Sequence, residues 1–357
     1  MKQVFLESHN LKNRFSGFGQ FNHHLIKAIA AQPLGGLSLT LHAKDTAALT
    51  RTFGSTFNYK KYRAHSRQPL FRIRKKYDLW HCLNQNIKIE PFYNIPYLLT
   101  VHDVHFCKNT PASVRQGFER QMAQKLKRCN AIAYISAFAK KDTHAHFDVP
   151  NVPEYVIYNG NPVTEHFNVK NHRPATPTAK PFLFTIGDFS ERKNFRSLVA
   201  MLPHLPGLDL VLSGNNTLAH ASKIKAVITA LRLNDRVKIT GKITERDKHY
   251  YLQNCTALVF PSLREGFGLP PIEAMYYGKP VFLSNNTSLP EVGGAHAFYW
   301  DNHDPQYMAA VVKNGLEKVR ANPGFYETWY RKRAEQFSWD KAAEQYVAVY
   351  KQLTGQQ

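Results

Sequence analysis

Short apolar runs alternate with amphipathic stretches twice along these 357 residues, and that alternation leaves few folds open. In the first half "KQVFLE", "LSLTLHA", "YDLWHCL", "PYLLTVHD", "AIAYIS" and "YVIYNG" read as strands, with helical patterns such as "FNHHLIKAIAAQ" and "SVRQGFERQMAQKLKRC" between them. In the second half the strands are "FLFTIG", "LDLVLSG", "VKITG", "ALVFPS" and "PVFLSN". Helices are predicted there at Phe195–Leu202, His220–Leu231, Glu245–Asn254 and Ile272–Tyr277. Such alternation builds parallel, doubly wound sheets. The chain is too long for one ordinary core, so two α/β domains facing a cleft are expected. The polar, Pro- and Thr-rich stretch Asn161–Pro181 lacks periodicity and reads as the linker. Helical patterns at Phe325–Phe337 and Asp340–Leu353 close the chain. Ala342, Tyr346, Val349 and Leu353 give the last helix one apolar stripe, which marks it for packing.

Several classes are excluded by composition. No apolar run reaches the roughly 18 residues that span a bilayer. The start, "MKQVFLESHN", is a strand pattern interrupted by Glu7 and not a signal peptide. Four cysteines without CxxC spacing read as reduced, mostly buried thiols of a cytosolic protein. The 17 histidines have no close cysteine partners for zinc. The formal charge of +21 is uneven: residues 1–170 carry 24 Lys and Arg against 10 Asp and Glu, residues 171–357 carry 23 against 16. Such a field favours an anionic partner. Within it, Asn58–Tyr77 holds eight Lys and Arg and no acid, interleaved with Tyr59, Tyr62, Leu70, Phe71 and Tyr77. It reads either as a solvated loop or as a surface for an anionic membrane. No helix-turn-helix, zinc-finger or RNP pattern supports nucleic acid.

The chemistry concentrates in "SLREGFGLPPIEAM", where a strand runs through a Gly-rich loop into a helix. Ligands of open α/β sheets bind beyond the carboxyl ends of strands. Gly266 and Gly268 let backbone amides approach a ligand, and Pro270 and Pro271 suit a helix start. Glu265 on the loop and Glu273 about one turn inside the helix are placed to meet different parts of one elongated ligand. A carboxylate accepts hydrogen bonds from hydroxyls, so each suits a sugar. Upstream, "FLFTIGDFSERKNF" is read as a strand, Gly187, a polar turn, and Arg192 and Lys193 opening a helix. Two cations there oppose the helix dipole, so an anion that uses both is expected, and a diphosphate fits. "SGFGQF" places Gly17 and Gly19 before a helix, and "TVHD" ends a strand with His102 and Asp103 toward the cleft.

These segments resemble a retaining GT-B glycosyltransferase of glycosyltransferase family 4. The E-x7-E spacing of Glu265 and Glu273 carries the resemblance. "IGDFSERKN", "SGFGQFNHHLIKAI", "TVHD", "YISAFAKKD", "VIYNG" and "SNNTSLPEVGG" extend it in order over nearly the whole chain. It departs at Gln20, where the family often has Arg.

The resemblance implies two Rossmann-like domains, with residues 1–165 plus a C-terminal helix 340–357 binding the acceptor and residues 166–339 binding the donor. The C-terminal helix crosses back to the first domain. Glu265 would hold the donor sugar's hydroxyls, with Phe267, Gly268 and Leu269 beside it, and Glu273 would bind the ribose. Arg192 and Lys193 would neutralise the leaving diphosphate, near Gly187, Gly17 and Gly19 would also bind the donor, and His102, as a catalytic residue, would face the reacting sugar and, with Asp103, the acceptor.

The implied reaction transfers a sugar from a GDP- or UDP-sugar to a hydroxyl of a glycan or lipid-linked acceptor, in cell-envelope polysaccharide synthesis. The enzyme is expected to lie peripherally at the inner face of the cytoplasmic membrane. No DxD acid pair is present and no metal or cofactor is expected, the cations standing in for a metal. Two alternatives share these features: a GT-B sugar-nucleotide 2-epimerase, and a non-catalytic module that binds a glycan or an anionic surface.

Overall fold

The computed structural model describes residues 1–13, 16–109, 111–163, 165, 167–178, 180–217 and 219–356. The chain divides into two compact domains, Met1–Pro162 with Ser338–Gln357, and Val163–Phe337.

The N-terminal domain is a parallel sheet of β1 (Lys2–Glu7), β2 (Leu37–Ala43), β3 (Asn58–Lys61), β4 (Leu79–Cys82), β5 (Tyr97–Val101), β6 (Ala131–Tyr134) and β7 (Glu154–Val156). Their spatial order is β3-β2-β1-β4-β5-β6-β7. Val4, Phe5 and Leu6 are all fully buried, as are Leu79 and Trp80. A parallel sheet covered on both faces demands such continuous apolar runs. The covering helices are α1 (Gly17–Ala30), α2 (Thr46–Phe53), α3 (Phe106–Asn109), α4 (Ala112–Arg128) and α5 (Ala137–His144).

The C-terminal domain repeats the plan with β8 (Phe182–Ile186), β9 (Asp209–Ser213), β10 (Val237–Gly241), β11 (Ala257–Phe260), β12 (Val281–Ser284) and β13 (Phe298–Trp300), ordered β10-β9-β8-β11-β12-β13. Its helices are α6 (Phe195–Met201), α7 (His220–Ala230), α8 (Glu245–Asn254), α9 (Leu269–Tyr276), α10 (Leu289–Gly293), α11 (Pro305–Ala321) and α12 (Pro323–Glu335). Leu183, Phe195, Leu210, Val259, Phe282 and Val312 anchor its core.

The last helix, α13 (Trp339–Thr354), packs on α1 and β4 of the N-terminal domain. Beneath the expected stripe lies a polar clasp. The Tyr350 hydroxyl bonds His81 Nδ1 at 2.7 Å, His81 Nε2 bonds Thr100 Oγ1 at 2.8 Å, and Thr100 bonds the Tyr346 hydroxyl at 3.1 Å. Burial, with His102 nearby, pushes His81 down to about 3, so it is a neutral link in this chain of hydroxyls.

The sequence reading differs at the edge strands β3 and β13 and at one connecting stretch. Asn58–Lys61, expected as loop, is a short edge strand; its half-exposed residues give no apolar alternation to read. The stretch expected as a linker is laid against α8. Phe167 stacks on His249 at 3.9 Å, His172 Nε2 bonds Asp247 at 2.7 Å, and the Tyr251 hydroxyl donates to the Thr176 carbonyl at 2.6 Å. Polar residues can pack when the neighbouring helix offers partners, and such pairing leaves no periodicity in the sequence. Positions 164, 166 and 179 of that stretch lie outside the described residues.

Candidate functional site

In the C-terminal domain β8 and β11 are hydrogen-bonded neighbours, and they are the pair at which the strand order reverses. The loops after their carboxyl ends therefore meet, at the position where open α/β sheets bind ligands. The Leu263 N–H donates to the Arg192 carbonyl at 2.8 Å and pins the two loops together.

Three charged side chains converge there. Lys193 Nζ lies 2.6 Å from Glu265 Oε1, and Arg192 Nη1 lies 3.0 Å from Glu265 Oε2. Arg192 also donates to the Arg264 carbonyl at 2.7 Å. Lys193 is buried and its ammonium sits 4.6 Å from the centre of the Phe260 ring. Its stem runs past Gly187, where a Cβ would stand 3.0 Å from Lys193 Cε, so glycine leaves the lane open. Burial alone would raise the Glu265 carboxyl, but the charges of Lys193 and Arg192 override it and hold the group down to about 2. Burial lowers Lys193, and Glu265 opposes that shift. The triad thus sets two basic side chains on the two oxygens of one carboxylate.

Arg192 and Lys193 do not open α6, as the sequence suggested. They lie on a separate single turn, Glu191–Lys193, and Asn194 in the left-handed region (φ 51°) separates them from the helix. Their shared anion in this structure is Glu265, so the helix-dipole argument does not account for them.

The loop bearing Glu265 is held by the segment before α10. The Glu265 N–H donates to Thr287 Oγ1 at 3.2 Å, and the Ser288 hydroxyl contacts the carbonyls of Glu265 and Phe267 at 3.0 and 2.8 Å. Gly266 and Phe267 are buried, and Phe267 packs edge-on against Phe337. Gly268, at φ 111°, turns the chain into α9, which begins at Leu269. Glu273 is the fifth residue of α9. Its Oε1 lies 2.8 Å from Lys248 Nζ, and Lys248 also pairs with Glu245 at 2.7 Å.

Sequence reasoning missed Lys248, Thr287 and Ser288. Lys248 is one lysine on a helix two elements away, and nothing local marks it. Thr287 and Ser288 fall in "SNNTSLPEVGG", which pointed to the segment without giving those side chains a task. Although burial disfavours its charge, the two carboxylates raise Lys248 above the ordinary lysine value. Removing one partner of a buried pair costs about 3–5 kcal/mol because the other charge is left uncompensated. Lys248→Met is therefore expected to lower the denaturation midpoint of this domain clearly. An unchanged midpoint would show that Glu273 does not depend on Lys248.

In the N-terminal domain the expected residues cluster at α1 and the end of β5. Gly17 and Gly19 lie in the first turn of α1, capped by Ser16, whose Oγ accepts from the Gly19 N–H at 3.1 Å. A Cβ on Gly19 would fall 1.8 Å from the Asn13 carbonyl oxygen, whereas Gly17 faces open space. The Gln20 side chain bonds His24 at 3.0 Å. His102 follows β5, with its ring edge-on to Phe18 and Phe21 at 4.9 and 4.5 Å. Burial pushes it down to about 4 despite Leu83 and Asp103, so it is neutral. Its Nε2–H donates to the Leu83 carbonyl at 2.9 Å, leaving Nδ1 as the acceptor nitrogen. Gln85, unmarked in the sequence, accepts from the His102 N–H and donates to the Asp103 carbonyl, fixing that corner. Among the described residues no three His, Cys, Asp or Glu side chains gather as a metal site.

Residues 168–326 match the family model described as "Glycosyl transferases group 1". The serotype-specific mannosyltransferase WbdA of Escherichia coli is 28% identical over 64% of this chain, and the matched part spans 29% of that relative. The O-antigen chain mannosyltransferase B of Escherichia coli is 24% identical over 99% of this chain and 100% of its own length. Among solved structures, Anabaena HepE in complex with UDP and glucose superposes with a TM-score of 0.71 at 17% identity, covering 98% of this chain and 99% of that one. The fold is GT-B, two parallel-sheet Rossmann-like domains. The family match lies within the second of these domains, Val163–Phe337.

Proposed function

We propose that the protein is a retaining hexosyltransferase of glycosyltransferase family 4. In this reading it moves a sugar from a GDP- or UDP-sugar to a hydroxyl of a glycan or lipid-linked acceptor in polysaccharide synthesis, without a metal. It works peripherally at the inner face of the cytoplasmic membrane. The observation that carries the reading is the triad of Arg192, Lys193 and Glu265 at the switch point of the second sheet. The mannosyltransferase names of the relatives favour a mannosyl group, and the UDP held by Anabaena HepE supports a sugar nucleotide.

The chemistry follows from charge. When the anomeric carbon–oxygen bond breaks, positive charge grows on the sugar and negative charge on the leaving diphosphate. Arg192 and Lys193 meet that negative charge in a preorganised setting. A diphosphate must compete with Glu265 for both cations. On binding it frees the Glu265 oxygens, which then accept the donor sugar's hydroxyls. Glu273 offers an oxygen to the ribose while Lys248 holds its other one. His102, neutral and with Nδ1 unprotonated, accepts a hydrogen bond from the acceptor side, and Asp103 lies beside it. For retention, the acceptor hydroxyl attacks the face the diphosphate leaves, and the leaving phosphate oxygen takes its proton.

The test begins with thermal denaturation in the presence of GDP, UDP and their sugars. A ligand at 100 times its dissociation constant stabilises by about 2.7 kcal/mol. The stabilising sugar nucleotide is then incubated alone and with lipid-linked glycan, and the products are resolved by NMR. A new α- or β-linkage matching the donor's anomer is expected. A 2-epimer formed without acceptor, or no response to any nucleotide, overturns the proposal.

A further inference from the structure

We propose that the N-terminal domain carries a docking surface for an anionic lipid bilayer, with Leu70, Phe71, Phe92 and Tyr93 at its centre and exposed cations around them. The four side chains are 78%, 53%, 46% and 42% exposed, far more than large apolar residues need be. They come from two separate stretches. Leu70 and Phe71 ride on the single turn Pro69–Phe71. Two residues on, Ile73 is buried and bridges to Pro91, and the Phe92 N–H donates to the Ile73 carbonyl at 3.1 Å. That bridge brings the second apolar pair beside the first. Phe92 and Tyr93 meet edge to face at 5.1 Å, and the Arg74 guanidinium lies over the Phe92 ring at 5.1 Å.

The structure sorts the aromatics of the basic stretch. Tyr77 is core, Tyr62 stacks on His9, and the Tyr59 hydroxyl donates to the Gly54 carbonyl, so none of these three is available as an anchor. Arg67, Arg74, Lys75 and Lys76 are exposed. The two acids between Asn58 and Tyr93 are both occupied: Asp78 accepts from the Gln3 N–H, and Glu90 pairs with Lys125 and Arg128. The face is thus positive with an apolar centre.

A soluble polyanion would be met by cations alone and gives no reason for four exposed apolar side chains. A bilayer explains both: basic side chains are drawn to anionic headgroups, and aromatic rings settle at the interface. This rests on and deepens the reading above, which sets the enzyme at a membrane with a glycan or lipid-linked acceptor, by naming where the chain meets lipid.

The experiment is co-sedimentation of the full chain with phosphatidylcholine vesicles, with and without phosphatidylserine. Wild type is expected to bind the anionic vesicles and release them at high salt. Leu70→Ser/Phe71→Ser should weaken binding at least tenfold at unchanged charge. Lys75→Glu/Lys76→Glu should weaken it by more than the roughly fivefold that one cation contributes. Lys223→Glu/Lys225→Glu, the same charge change on the other domain, should alter it less than twofold. Equal losses in the two lysine pairs, or wild-type binding by the Leu70/Phe71 variant, overturn the surface. So does preference for a soluble acidic polysaccharide over vesicles. Nucleotide binding by wild type is measured in parallel: wild type that binds nucleotide but does not sediment with anionic vesicles sinks this surface alone, and wild type that sediments but binds no nucleotide sinks the sugar-transfer reading alone.

Discussion

Glu265→Gln is expected to abolish most sugar transfer while leaving nucleoside diphosphate binding as tight as wild type or tighter. Both oxygens of Glu265 are taken up by Lys193 and Arg192 in this structure. A diphosphate has to displace it, so a neutral amide removes a competitor for the two cations. The same amide is a poorer acceptor for sugar hydroxyls, and turnover should fall about 100- to 1,000-fold, the range for losing one stabilising group at a reacting centre. Without ligand, buried Lys193 loses its counter-charge and the domain should lose about 3 kcal/mol; added diphosphate should recover part of that. Glu273→Gln should instead weaken diphosphate and intact donor together, because its partner would be the ribose common to both. Calorimetric titration of diphosphate into both variants, with steady-state rates, separates the cases. Loss of diphosphate binding in Glu265→Gln with full binding in Glu273→Gln would reverse the assigned polarity of the two acids.

Eleven strands were legible because parallel sheets covered on both faces require unbroken apolar runs, and eleven such runs stand out. The two strands that were missed, β3 and β13, are short edge strands, and edges carry no such demand. The loops after β8 and β11 were legible as sites because glycine, proline and charge at the end of a strand have few structural uses. What the sequence could not show was which charge answers which. Lys193 stands 72 positions from Glu265, with Arg192 just before it, and only the adjacency of β8 and β11 brings them together. Lys248 is similar: its partner Glu273 is 25 positions away on another helix. Gln85 reached the His102 corner the same way, through the pairing of β4 with β5. Side-chain pairing across a sheet depends on strand order, and strand order is not written in local periodicity.

Glu7 carries that lesson to an acid that looked like a defect in the first strand, and its replacement is expected to have the largest effect on the N-terminal domain. It ends β1, opposite Cys82 of β4, and is completely buried. Its two oxygens lie 2.6 Å from the Nδ1 atoms of His9 and His42, so both imidazoles donate to it. The neighbouring Ser8 hydroxyl spans to the His42 backbone at 3.1 Å and ties β1 to β2. Burial pushes the Glu7 carboxyl up, but the two histidines outweigh burial and leave it below 4.5. Glu7→Ala strands both donors in a dry interior, at about 3–5 kcal/mol. For a domain of this size that is a fall of roughly 10 °C in its own melting transition. Nucleotide binding should persist, since Arg192, Lys193, Glu265 and Glu273 all belong to the other domain. The sign with pH is fixed by the lowered carboxyl. Its stabilisation is fully present above about 4.5 and is lost as pH falls through the folded value. Scanning calorimetry of both proteins should show a wide gap at pH 7 that narrows below pH 4.5. A gap that stays constant with pH would mean that Glu7 acts by filling space and not by its charge.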